Sequence, residues 1–229
     1  MISVVVPAHN EEKLVGPCVE SIVRAARHAQ LNQEEVLVLV VLDHCTDSTG
    51  PIAEACGATT FAVSARNVGH ARAAGAQAAI EGGARWLAFT DCDSVVAPDW
   101  LVTQLALGAQ GADAVCGTVC VGDWAGYGSN MQRHFAATYF DVDDHRHVHG
   151  ANLGVSAAAY RRVGGFQHLP CGEDVALVQA LQDAGAVVAW SAAPRVSTSA
   201  RTDFRAPRGF GATLQRIEQE GAWVLPMAA

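Results

Sequence analysis

Ile2-Ser3-Val4-Val5-Val6-Pro7-Ala8-His9-Asn10-Glu11-Glu12 is the stretch that decides the fold class. Residues 2–6 form a short apolar run rich in β-branched side chains and closed by Pro7, which reads as a strand buried on both faces. Asn10 is placed to cap the next element. Leu14, Val15, Cys18, Val19, Ile22 and Ala26 then recur at helical spacing to about residue 29, so a helix crosses back over the sheet. The same alternation continues outward. Residues 36–42 read as a second buried strand, 48–56 as a helix, 59–63 as a strand, 70–80 as an Ala-rich helix and 86–90 as a fourth strand. Strand and helix at such short spacing give right-handed βαβ units in a parallel sheet.

Beyond Asp93 the alternation loosens. A helix is expected from Pro98 to Leu107, a strand over 114–121, a flexible stretch at Gly122, Gly126 and Gly128, and a helix over 129–144. A strand near 152–156, a helix over 173–184, strands near 187 and 196 and a last helix over 212–220 complete the reading. With 229 residues, half of them apolar, the chain builds one core and not two. The expectation is a single α/β domain, with a regularly alternating half over 1–95, a looser half over 96–205 and a tail over 206–229.

No apolar run reaches the roughly 18 to 20 residues of a membrane span, and Met1 leads straight into a strand, so a cytoplasmic protein without an integral membrane segment is expected. The seven cysteines are scattered and lack CxxC spacing, which suggests neither a disulfide framework nor a zinc site. A formal charge of −8 argues against nucleic acid as a partner. Lys13 is the single lysine, and four of the arginines (Arg195, Arg201, Arg205, Arg208) fall close together, where guanidinium forks suit an anion or a solvated loop equally.

In an open parallel sheet, ligands bind beyond the carboxyl ends of the strands. Each early strand ends in a polar cluster: residues 7–12, 43–47, 66–70 and 91–93. Asp91 and Asp93 are one residue apart at a strand end, so both carboxylates lean to one side and share a hard cation, Mg²⁺ or Mn²⁺, in company with substrate phosphates.

The ordered set of Val4-Val5-Val6-Pro7-Ala8-His9-Asn10-Glu11-Glu12, Asp43-x-x-x-Asp47-x-Thr49, Arg66-Asn67-x-Gly69-x-x-Arg72 and Asp91-x-Asp93 resembles the family 2 glycosyltransferases of GT-A fold. Gly150-Ala151-Asn152-Leu153-Gly154, Arg162-Val163-Gly164-Gly165-Phe166 and Gly172-Glu173-Asp174 resemble the acceptor-side elements of that family. The resemblance covers roughly residues 1–200. It implies a Rossmann-like nucleotide-diphospho-sugar transferase domain with a mostly parallel sheet, and inverting transfer from a UDP- or GDP-sugar to an unidentified acceptor hydroxyl.

Carried over residue by residue, the resemblance gives Asp43 the donor base, and Pro7, Ala8 and Glu11 the base and ribose, Glu11 being the ribose-hydroxyl partner. Asn67, Gly69 and Arg72 fall beside the diphosphate, with Arg72 facing phosphate or a carboxylate of the 91–93 loop. In the Asp91-Cys92-Asp93 segment, Asp93 is the metal ligand; Asp91 is a second ligand or touches ribose or a metal-bound water. Gly150, Asn152 and Gly165 line the acceptor side or serve as tight turns, and Asp174 is the base, with Glu173 beside it. Helical spacing sets Asp174 above the buried stripe of Val178 and Leu181, whereas Glu173 lines up with Leu177 and Ala180, so Asp174 is expected to lean inward.

Two features depart from the family pattern. Residues 196–201 hold no late-strand histidine, which leaves His149, last of the alternating His145, His147 and His149, as a further metal or acceptor group. Gln-x-x-Arg-Trp is also absent, against long-chain polymerisation. A nucleotidyltransferase of related fold is the rival enzyme, but it calls for a Gly-rich basic loop after strand one. A non-catalytic nucleotide-sugar-binding module is the rival of another class, and retention of Asp93 and Asp174 together weighs against it.

Overall fold

The computed structural model describes residues 1–124, 126–169, 171–202 and 209–220. Strand β1 (Ile2–Ala8) lies between β2 (Val36–Asp43) and β4 (Trp86–Phe89), parallel to both, and β3 (Thr59–Val63) adds in parallel outside β2. Alternation along β1 is plain: Ile2, Val4, Val6 and Ala8 enter the core on one face and Val5 enters the core on the other. On the first face α1 (Val15–Ala26), α2 (Thr49–Ala55) and, further along, α4 (Trp100–Ala109) cover the sheet. On the second face lie α3 (Val68–Glu81), α6 (Ala157–Arg162) and α7 (Glu173–Asp183).

The other half is mixed. β7 (Leu153–Ser156) runs antiparallel between β4 and β6 (Ala114–Asp123), and β8 (Val188–Ser199) lies parallel to β6. The two-residue β5 (Val95–Val96) pairs antiparallel with β8 at the edge, giving the order β3-β2-β1-β4-β7-β6-β8-β5. Helices α5 (Ser129–Thr138) and α8 (Phe210–Glu220) make a satellite cluster in which Met131 and Leu214 are buried with Ala200.

Several boundaries differ from the reading of the sequence. The helix expected over 129–144 stops at Thr138, because the next residues are pulled onto the sheet: Thr118 Oγ1 donates to Asp141 at 2.6 Å, and Ser191 Oγ and the Ala192 N–H donate to Asp143 at 2.8 and 2.9 Å. The strands expected near 187 and 196 are one strand, and α6 and β5 were not foreseen. Asn10 does not cap α1, which begins five residues later; it adopts a φ of 53° and its Oδ1 accepts the Thr46 N–H at 2.8 Å, tying the loop after β1 to the loop after β2.

Candidate active site

The loops after β1 and β2 are stitched together by their own polar groups. The Glu12 N–H donates to Asp47 at 3.1 Å, the Ser48 N–H returns to Glu12 at 3.2 Å, and the Glu11 N–H donates to Thr49 Oγ1 at 2.7 Å. Pro7 and Ala8 end β1 in register with Val41 and Leu42. Asp43, at the end of β2, is buried and accepts the N–H groups of Ala65 and Arg66 at 2.8 Å each and of Asn67 at 2.7 Å. Burial works against the ionised form, but these three donors outweigh it and hold the carboxyl below its usual range. Asp43 therefore organises the loop after β3, with one lone pair of Oδ2 still to offer.

Two histidines flank this carboxylate. His9 donates from Nδ1 to the Asp43 carbonyl at 2.6 Å, since a carbonyl only accepts. Arg66 donates to His44 Nε2 at 2.7 Å, which leaves the His44 proton on Nδ1, 3.3 Å from Ser64 Oγ. Their ring centroids are 6.4 Å apart with planes within 17°. Neither histidine nor Arg66 stood out as a site residue from sequence, although His9 sits inside the opening motif and His44 directly follows Asp43 at a φ of 56°.

Asn67 caps α3, its Oδ1 accepting the His70 N–H at 2.9 Å, and one turn on stands Arg72, 3% exposed. Arg72 joins two distant segments: one end of its guanidinium pairs with Asp91 after β4 and the other with Glu173 at the start of α7. Burial opposes its charge, yet the carboxylates of Asp91 and Glu173 raise its pKa further above the ordinary guanidinium range. Gly150 leaves the room for this, because a Cβ there would lie 2.3 to 2.5 Å from the guanidinium atoms.

Asp93 and Glu11 share a second arginine. Arg201, just past β8, donates to both oxygens of Glu11 at 2.7 Å each, and its Nε lies 3.2 Å from Asp93 Oδ2. Burial, then the charges of Asp91 and Glu11, raise the Asp93 carboxyl to about 6, with Arg201 pulling the other way. Cys92 between the two aspartates is buried, and its thiol is pushed well above the usual range. All seven cysteines are free. Arg205 and Arg208 lie outside the described residues.

On the acceptor side the leaning of the adjacent carboxylates is the reverse of the expectation. The buried stripe of α7 is Glu173, Leu177, Val178 and Leu181, while Asp174 is half-exposed. Arg72 decides this by drawing Glu173 inward; burial raises the Glu173 carboxyl despite that guanidinium. Asp174 is oriented by the N–H groups of Gly150 and Val175, each 2.8 Å from a carboxylate oxygen. Asn152, 1% exposed, accepts from Trp100 Nε1 at 2.8 Å and donates to the carbonyls of Thr118 and Pro194 at 2.7 and 2.8 Å, so its amide serves the packing of the sheet. Gly165 turns at a φ of 74° with its Cα against the Tyr160 ring, where a Cβ would come within 2.5 Å.

His149 does not join the aspartates. Tyr139 Oη accepts the Val119 N–H at 2.9 Å and is hydrogen-bonded to His149 Nε2 at 2.9 Å, which engages one of the two ring nitrogens. Burial, then the neighbouring His147, lowers the His149 pKa to about 4. Among the described residues no three His, Cys, Asp or Glu side chains gather to hold a metal alone.

The profile of Glycosyl transferase family 2 matches residues 3–166. The chain belongs to glycosyl transferase family 2. No curated protein matches the family 2 chain. Its fold is that of the GT-A enzymes. S. aureus TarS 1-349 in complex with UDP-GlcNAc is similar at a TM-score of 0.70 and 15% identity over 94% of this chain and 64% of that one. Mannosyltransferase PcManGT from Pyrobaculum calidifontis, in complex with GDP-Man and Mn²⁺, gives 0.65 and 19% over 95% and 60%. Glucosyl-3-phosphoglycerate synthase from Mycobacterium tuberculosis, in complex with Mn²⁺, UDP-Glc and phosphoglyceric acid, gives 0.54 and 21% over 82% and 68%. At these identities the likeness speaks for the fold, and the family 2 chain spans less than two thirds of the first two chains.

A divalent cation fits the residues of this family 2 site. Glu11, Asp91 and Asp93 form an acidic cluster paired with guanidinium groups, and burial, then the neighbouring negative charge, raises the Asp93 carboxyl. A hard cation held by one or two carboxylates takes its remaining donors from phosphates and water, so a third protein ligand is not required. No helix among the described residues is long and apolar enough to cross a membrane.

Proposed function

We propose that this protein transfers a glycosyl group, with inversion, from a nucleoside-diphosphate sugar to an acceptor hydroxyl, with Mg²⁺ or Mn²⁺ held at Asp93 and Asp91. The observation that carries this reading is the Arg72 bridge: it fixes the Asp91 loop to the first turn of α7, the turn that also carries Asp174.

The chemistry follows from the groups that this bridge holds together. Asp174, half-exposed and oriented by two backbone N–H groups, takes the proton of the acceptor hydroxyl as its oxygen attacks the anomeric carbon. The bond to the diphosphate oxygen breaks on the opposite face, and the proton stays on Asp174. When bound, the cation supplies charge neutralisation to the departing diphosphate. Arg72 keeps Asp91 in place through this change. At the other end, the near-parallel rings of His9 and His44, with centroids 6.4 Å apart, offer flat faces beside Asp43 on which the nucleoside base stacks. The remaining lone pair of Asp43 Oδ2 receives an N–H of uracil or guanine.

The test is release of UDP or GDP from UDP- and GDP-sugars with and without Mn²⁺. Metal-dependent release, lost on chelation, supports the reading. Tight binding of a nucleotide sugar with no turnover towards water or any hydroxyl acceptor would make the protein a binding module instead, and undiminished donor affinity in EDTA would remove the metal from the scheme.

A further inference from the structure

We infer that Arg201 is a built-in counter-cation that holds the divalent-ion position in the donor-free protein and passes to the diphosphate when the donor loads. This rests on the reading of Asp93 as the cation-holding carboxylate.

The two arginines of the site are built differently. Arg72 is 3% exposed and gripped from two segments, and Gly150 is closed against it, so it has no room to move. Arg201 keeps 19% of its side chain in solvent and stands at the end of β8, where its N–H donates to Ser199 Oγ at 3.1 Å. Its guanidinium spans Glu11 at the carboxyl end of β1 and Asp93 after β4, and so occupies the carboxylate on which the cation is to sit.

Electrostatics makes that seat exclusive. A divalent ion on Asp93 with Arg201 still in place would set three positive charges against the same carboxylates at contact distance in a half-buried pocket, where like charges repel strongly. A diphosphate removes the conflict. Its oxygens accept the guanidinium fork bidentately, and Arg201 can leave Glu11 and Asp93 without losing an anionic partner. Cation and nucleotide should therefore bind with positive coupling, each tightening the other. Glu11, released by the same movement, becomes available to a ribose hydroxyl.

Removing the guanidinium should shift two affinities in opposite directions. Mn²⁺ binding is measured by electron paramagnetic resonance of the free ion, on metal-free protein, with and without UDP or GDP; nucleotide binding is measured by calorimetry in saturating Mn²⁺. Arg201→Gln should bind Mn²⁺ alone more tightly than wild type and UDP or GDP more weakly, each by roughly 5- to 100-fold, the range of ordinary coupling energies. Arg201→Lys should fall between, and Arg195→Gln, which removes the same charge from an exposed pair with Asp141, should match wild type. Equal Mn²⁺ affinity in wild type and Arg201→Gln, while both still bind nucleotide with Mn²⁺, overturns the inference and leaves the functional reading standing. Absence of Mn²⁺ binding in every variant, even with UDP and GDP present, overturns both.

Discussion

Asp174 holds its carboxylate between the N–H groups of Gly150 and Val175, half in solvent, while Glu173 is buried against Arg72. Asp174→Asn is therefore expected to lower turnover by roughly 10²- to 10⁴-fold with donor affinity nearly unchanged, the range for a lost general base. Steady-state kinetics beside nucleotide calorimetry reads both quantities. Glu173→Ala should instead act on folding: leaving a buried guanidinium without one partner costs about 3–5 kcal/mol, visible as a lower urea midpoint. A dead but fully stable Glu173→Ala together with an active Asp174→Asn would reverse the two roles. Asp93 gives a pH signature. Its folded pKa is raised from 3.8 to about 6, so between these values the folded state binds more protons than the unfolded one and stability falls as pH rises. Asp43 has the opposite sign, since its lowered pKa adds stability above the ordinary carboxylate range that is lost as pH falls through its folded value. Urea unfolding of metal-free protein at pH about 4.5 and about 6.5 should show Asp93→Asn gaining on wild type at the higher pH, by about 2 kcal/mol. A gap that does not change with pH would mean that Asp93 is not held this way.

Helix α3 packs closely on the sheet, and glycine sets the distance. A Cβ on Gly75 would lie 2.4 Å from a methyl of Val5 and 2.9 Å from one of Val41. Gly75→Ala gains about 1 kcal/mol of helix propensity but overpacks the core, at about 1–3 kcal/mol, so a net loss of stability is expected in urea or thermal unfolding. Gly150→Ala should unseat Arg72 and reduce activity more than stability would suggest, because both the Asp91 loop and α7 depend on that guanidinium. The elements that were legible in the sequence are those carried by local pattern: β1, β2 and β4 as apolar runs, β3 as a short strand, and α1 to α3 between them. β5 was not legible, because its two residues are a strand only by pairing with β8, about a hundred positions away. Nor was the leaning of α7: Leu177, Val178 and Leu181 are compatible with either Glu173 or Asp174 above them, and a partner 101 residues distant settles it. Asp43, Asp91 and Asp93 stood out as candidates because they follow strands, and Arg201 as one of a cluster of arginines suited to an anion; the Glu11 and Asp93 partners of Arg201, and His44, did not, since nothing in their neighbours announces what they reach.

In the molecule as a whole, the parallel order reverses direction at β1, with β2 to one side and β4 to the other, and the polar loops collect at that switch point. A ligand seated there should brace much of the sheet. At 100 times its dissociation constant a nucleotide sugar with Mn²⁺ adds about 2.7 kcal/mol, or roughly 5–10 °C in melting temperature for a chain of this size. A panel of UDP- and GDP-sugars should give one base the larger shift; no shift with any of them at millimolar concentration would contradict a donor site. The short β5 carries a consequence for biosynthesis. Ser94 Oγ meets Thr198 Oγ1 at 3.0 Å and Val95 and Val96 pair with Ser197 and Val196, so the loop bearing Asp91 and Asp93 is anchored to chain made about a hundred residues later. At roughly 5–20 residues per second, a ribosome needs about 5–20 seconds to cover that interval. However early β1 to β4 pair and Arg72 meets Asp91, the nascent polypeptide therefore passes through those seconds with the β5 side of its aspartate loop still without its strand partner.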